Sequence, residues 1–133
     1  MAKMDENYNI ETTRGDVLSF NVKTTNKNDN TPYVFQVGDV IRFKIMEANN
    51  CEQILVQKDV TVSEISKSVL LTIPSDEMKI GNIINVPVDY WYEVELNPDT
   101  ESRITILGYT KATGPRILTL TPEGGDKQWS KMY

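Results

Sequence analysis

Apolar side chains in this chain recur at every second residue, in short runs broken at intervals of about eight to twelve residues by Gly, Pro, Asn and Asp. Leu18, Phe20 and Val22 alternate with Ser19, Asn21 and Lys23, and Ile41, Phe43 and Ile45 with Arg42 and Lys44. Tyr90, Tyr92, Val94 and Leu96 alternate in the same way with Trp91, Glu93 and Glu95. Successive side chains on a strand point to opposite faces, so each run offers one apolar face to a core. Composition favours the same state: Val and Ile number 24, Ala and Leu 11, and 13 Thr bring the β-branched total to 37 of 133 residues. Two heavy atoms on Cβ stiffen χ1 and suit a pleated surface better than a helix.

The pattern predicts strands over 18–22, 41–45, 54–62, 66–73, 89–96, 103–107 and 116–120. Asn49-Asn50 and Asn97-Pro98-Asp99-Thr100 are turns that make hairpins of 41–45 with 54–62 and of 89–96 with 103–107. Pro74 to Lys79 supports one helical turn as a crossover between sheets. Seven to eight short antiparallel strands without a long helix indicate an all-β protein, an immunoglobulin-like β-sandwich, with a small barrel as the rival. One such domain spans 1–121, with 1–7 a flexible N-terminal segment. Residues 122–133 form a tail carrying Trp129 and Tyr133.

Several chemistries are excluded. There is no His and a single Cys, Cys51, so imidazole-based dyads and triads, Cys/His zinc sites and an internal disulfide are all ruled out. The formal net charge is −5, with no basic cluster of the kind that grips nucleic acid or anionic lipid. Ile80 to Val88, uncharged, is too short and polar for a membrane helix. No apolar segment follows the amino terminus, so synthesis and folding in a cytoplasm is expected.

The candidate sites are few. Arg14-Gly15-Asp16 matches an integrin-recognition tripeptide, but a turn with Gly15 supplying the backbone freedom is the favoured reading. Glu93 and Glu95 lie on one strand face about 6–7 Å apart, a glycosidase-like carboxylate spacing. A solvated outer face explains them better, because no deep sugar cleft is expected. Asn26, Asn28, Asp29 and Asn30 could offer oxygens to Ca²⁺, but without the Gly and distal Glu of an EF-hand loop they read as a hydrogen-bonded turn. Cys51, at a hairpin tip beside Glu52, has no cation to activate it. Gly124-Gly125 is no phosphate loop. Trp91 shares the outward parity of Glu93 and Glu95; it is either an exposed anchor for a partner or covered by a loop or the tail. No cofactor or metal is expected.

The segments RGDVLSF (14–20), GDVIRFKI (38–45), YWYEVEL (90–96) and RITILGY (103–109) occur in an order that resembles the N-terminal domain of phage baseplate upper proteins, an immunoglobulin-like module of tailed-phage structural proteins. The resemblance spans roughly residues 10 to 120. It implies a non-enzymatic virion component, assembled in the host cytoplasm in several symmetric copies and acting through contacts with other virion proteins, with no catalytic residues. Members of that family continue into a stalk, whereas this chain stops soon after its last strand, so a stand-alone adaptor, fibre-base or decoration protein is expected. Trp91, Glu93, Trp129 and Tyr133 are the expected interface residues. The alternative is a carbohydrate-binding module in which Trp91 and Tyr109 stack on sugar rings.

Overall fold

The computed structural model describes residues 2–26, 28–82 and 85–123. Among them are nine strands: β1 (Lys3–Met4), β2 (Ile10–Thr13), β3 (Leu18–Val22), β4 (Val40–Glu47), β5 (Asn50–Thr61), β6 (Val69–Ile73), β7 (Val88–Leu96), β8 (Ile104–Leu107) and β9 (Arg116–Thr121). The one helical element described is a 3-10 turn, Ser75–Met78, which follows Pro74 at the expected crossover. No helix among the described residues is long and apolar enough to cross a membrane.

The protein is all-β, but its main sheet is mixed rather than purely antiparallel. Seven strands form it in the order β1-β2-β9-β7-β4-β5, with β8 added beside β7; β3 and β6 form a second, two-stranded sheet. The exception to antiparallel pairing is β2 with β9, where Ile10 faces Leu118 and Thr13 faces Thr121 in parallel register. One edge of β9 is taken by β7, so β2 completes the other, and the direction of entry makes the pair parallel. Parallel neighbours cannot be joined by a tight turn; here most of the domain lies between them.

Strand β7 is the organising element. Its residues 91–96 pair with β4 on one side, while on the other its first half pairs with β9 and its last three residues with β8. Side chains from both sheets meet in one core, which includes Leu18, Leu71, Ile73, Phe43, Ile45, Tyr92, Val94, Leu118 and Leu120. Phe43 sits between the layers, its ring 5.6 Å from that of Phe20 and 5.7 Å from that of Tyr92. Of the alternating positions, Phe20 alone among Leu18, Phe20, Phe43, Ile45, Tyr92 and Val94 is only half-buried. On the outer strand β5, Lys58 lies opposite Phe43, at the parity of Val56 and Val60. A charge of that parity on an edge strand opposes pairing with another chain.

The open end of the β4–β7 pair is closed by Asp39 and Asn97. Oδ2 of Asp39 accepts from the Tyr33 hydroxyl (2.8 Å) and the Gln36 N–H (2.9 Å), and its Oδ1 accepts from the Asn97 amide (3.2 Å). Asn97, at φ 50°, accepts in turn from the Val40 N–H. Burial alone would raise the Asp39 carboxyl, but these donors outweigh it and hold it below its ordinary value of 3.8. Asp59, hydrogen-bonded by Arg42, is lowered likewise. A carboxyl whose folded pKa lies below its unfolded one binds fewer protons when folded, so its contribution is full above about pH 4 and lost as pH falls. Urea unfolding of the wild type is expected to weaken steadily between about pH 4 and pH 2.5. In Asp39→Asn that acid slope should be shallower, with a lower midpoint at pH 7; an unchanged slope would count against the role given to this carboxylate.

Candidate functional site on the outer face of the large sheet

The face of β4 and β7 turned away from the core carries Arg42, Lys44, Trp91, Glu93 and Glu95, as strand parity expects. Register decides what they do. Lys44 lies directly across from Glu93 and diagonal to Glu95, and its Nζ is 2.6 Å from one carboxylate and 3.1 Å from the other. Arg103, from the turn before β8, reaches back to the second oxygen of Glu95 at 2.6 Å. Arg42 is opposite Asp59 and holds it by two parallel hydrogen bonds, at 2.9 and 3.0 Å, while gripping Asp99 at 3.1 and 3.0 Å. Such forked pairs fix geometry as well as charge.

The expectation of a solvated outer face for Glu93 and Glu95 is not met: Glu93 is half-buried and Glu95 is 2 % exposed. The cause is β8, which folds along the last residues of β7 and brings Arg103 over the carboxylate. Gly108 directly follows this strand beside Glu93: a Cβ there would come within 2.8 Å of the Thr105 methyl, three residues earlier, and 3.7 Å of the Glu93 Cβ. A carboxylate pair bridged by one ammonium is also not arranged as an acid and a base poised across a substrate. For Lys44 burial works against the charge, but the hydrogen bonds to Glu93 and Glu95 outweigh it and raise the ammonium above its ordinary value.

Beside this lattice lie the surface aromatics. Trp91 is half-buried and its ring is 6.2 Å from that of Tyr109, tilted by 35°. Tyr109 itself is 65 % exposed. Trp91 is thus neither bare nor sealed under a loop: one ring neighbour flanks it, and with Glu93 it forms a patch bordered by charge. Trp129 and Tyr133, and Gly124-Gly125, lie outside the described residues.

The remaining candidates resolve into structure. Arg14 is 7 % exposed, its guanidinium donating to the carbonyls of Lys79, Ile80 and Gly81 and to Glu123. Gly15, at φ 86°, makes the turn. The Arg-Gly-Asp segment is therefore a turn with an inward-facing arginine. In the Asn-rich loop, Asp29 accepts from the Thr31 N–H and hydroxyl, and the Asn30 N–H donates to the Asn26 carbonyl. That is the hydrogen-bonded turn expected. Cys51 is exposed, in the bulged start of β5.

Lys44 and Arg103 were not legible as site residues, although the outward parity of Lys44 was the available signal. Lys44→Met should cost about 2–4 kcal/mol at pH 7, because it leaves two neighbouring carboxylates with one cation instead of two. The Lys44 ammonium is held above its ordinary value of 10.5, so its contribution is full below about pH 10.5 and lost as pH rises through the folded value. The deficit in urea should therefore hold between about pH 7 and pH 9 and shrink above about pH 10.5; a deficit that persists unchanged at about pH 11.5 would remove the electrostatic explanation.

Compared with protein-family models, with curated proteins and with solved structures, the chain matches none.

Proposed function

We propose that the chain is a non-enzymatic interaction module, a structural or adaptor component of a phage or prophage particle, built as an immunoglobulin-like sandwich. The strand order supports the sandwich reading. β9-β7-β4-β5 on one layer and β3-β6 on the other follow the G-F-C-C′ and B-E neighbours of variable-type immunoglobulin domains, with the short helical turn between the sixth and seventh strands. The segments that resemble baseplate upper proteins coincide with β3, β4, β7 and β8, so the resemblance rests on the strands that frame the core.

The observation that carries the adaptor reading is the outer face itself. Its charges neutralise one another in fixed pairs, and beside them the Trp91–Tyr109 pair offers apolar area with little side-chain entropy to lose. An aromatic anchor rimmed by satisfied charges suits a surface that is held by another protein. The partners are other virion proteins, with further copies of this chain in the same assembly. Mass spectrometry of purified virions or induced prophage particles should find the chain in stoichiometric amounts, and Trp91→Ala should reduce its incorporation. Particles devoid of the chain would overturn the reading.

The same ring pair favours a second reading, a carbohydrate-binding module, since tilted neighbouring rings can stack on a sugar. Saturable quenching of tryptophan fluorescence by oligosaccharides, abolished in Trp91→Phe, would establish it; fluorescence unmoved by sugars, with an empty glycan array, would remove it.

A further inference from the structure

β3 is paired on one side by β6 and has no second strand partner among the described residues. A cleft of about 690 Å³ runs beside it, and its lining includes every residue from 20 to 25 in succession. A cavity over a sheet face touches alternate residues, because side chains alternate; a cavity touching each consecutive residue lies along the strand's edge, where backbone N–H and C=O groups are offered. Near the end of the run the Thr24 carbonyl already accepts the Tyr33 N–H and Thr25 bridges Pro32, so the open stretch is that of residues 20–23. At the other end, β1 flanks Leu18, Ser19 and Phe20 across a gap of about 60 Å³ without pairing with them.

The cleft's chemistry is equally specific. Its apolar wall holds Met4, Phe20, Ile106 and Leu107, and its charged side chains among the described residues are Lys23, Lys67 and Arg116, with no acid. This is a local excess of three cations on a chain of net charge −5. Arg116 is held ready: it donates to the Asn7 carbonyl at 2.7 Å and lies 5.7 Å from the centre of the Tyr8 ring, while its Nε has no acceptor among the described residues.

We infer that this edge receives an extended acidic peptide strand from a partner protein, pairing its backbone with β3, its apolar side chains meeting Phe20 and Ile106 and its carboxylates meeting Lys23, Lys67 and Arg116. Backbone pairing supplies the register and the alternate side chains supply the choice of partner. The unpaired edge demands a peptide rather than a sugar or a lipid, and the cations select an acidic one. The inference rests on the protein-interaction reading and adds the partner's chemistry, at a site that shares no residue with the Trp91 patch.

The test uses fluorescein-labelled ten-residue peptides in which Asp or Glu alternates with Val, Ile or Phe, titrated against the full chain by anisotropy and followed by amide NMR shifts. Saturable binding is expected, with shifts concentrated in residues 20–23. Affinity should fall at least tenfold for peptides with Lys in place of the acids, and at least tenfold for peptides with N-methylated backbones. The double variant Lys23→Glu and Lys67→Glu changes two exposed side chains and should bind at least tenfold more weakly with an unchanged melting temperature. Absence of saturable binding, equal binding of the basic peptides, or shifts confined to other residues would each overturn the proposal. So would finding that the free chain dimerises through these amides, or that deleting residues 124–133 shifts them, since a second copy or the chain's own tail would then be the occupant. Failure here with the chain present in particles refutes the peptide site alone, whereas absence from particles with peptide binding intact refutes the virion role alone.

Discussion

Arg14→Ala is expected to lower unfolding free energy by about 3–5 kcal/mol, because one guanidinium satisfies three backbone carbonyls and a carboxylate at once and hydrogen bonds to charged groups contribute roughly 1.5–3 kcal/mol each. Part of the loss is returned when the exposed carbonyls of Lys79 and Gly81 take water, which keeps the figure below the sum of the bonds. Arg14→Lys should recover less than half, since a lysine cannot reproduce a planar fork aimed at carbonyls of three successive residues. The measurement is the urea midpoint at constant slope. A loss under about 1 kcal/mol would mean that the segment after the 3-10 turn holds its place unaided. For a domain of ordinary stability, roughly 5–15 kcal/mol, the expected loss is a large fraction of the whole. It would also show why the Arg-Gly-Asp segment cannot present its arginine to a receptor: doing so would mean withdrawing a buried tie.

Phe43→Ala should cost as much, about 3–5 kcal/mol, by a different route. The ring is fully buried and touches Phe20 from the small sheet and Tyr92 from the large one, so its loss opens a cavity between layers that neither neighbour can fill without leaving the other. Phe43→Leu, nearer in volume, should cost about 1–2 kcal/mol. Arg14 and Phe43 share no hydrogen-bond or ring partner, so the two alanine changes should add, and the double variant should be largely unfolded at 25 °C by circular dichroism. A Phe43→Ala loss no greater than that of Phe43→Leu would place the centre of the core elsewhere.

Strands whose inner residues alternate cleanly were legible in the amino-acid sequence: β3, β4, β7, β8 and β9 lie within a residue or two of where period two puts them, and the helical turn follows Pro74. β1 and β2 were not, for a physical reason. Lys3–Met4 is too short to show a period, and Ile10–Thr13 has one apolar side chain, its second buried position being Thr12. The mixed character of the sheet went unseen with them. At the candidate site, parity correctly turned Trp91, Glu93 and Glu95 outward but could not tell that Lys44 would stand between the two carboxylates, because that depends on the register between β4 and β7. Nor could it bury Glu95, which depends on β8 folding back along β7. Arg14 was the hardest to read: its partner carbonyls lie 65 to 67 residues away, and nothing in a tripeptide announces them.

The parallel pairing of β2 with β9 bears on how the molecule comes into being. Ile10 leaves the ribosome long before Leu118, yet they lie side by side in the finished sheet. Until β9 emerges, β2 has no strand to join among the described ones except the two residues of β1, and the first half of β7 has no neighbour on the side away from β4. The hairpin of β4 and β5 can form early, but the sheet can close only once synthesis has passed residue 121. Loop closure on that scale places folding with slow, non-local β topologies, in milliseconds to seconds rather than microseconds. Each nascent copy therefore carries β2 without β9 from residue 13 until β9 is made, and β7 with one flank open from residue 96 until then, an interval in which chaperones, or neighbouring chains being made on the same message, meet it before β9 does.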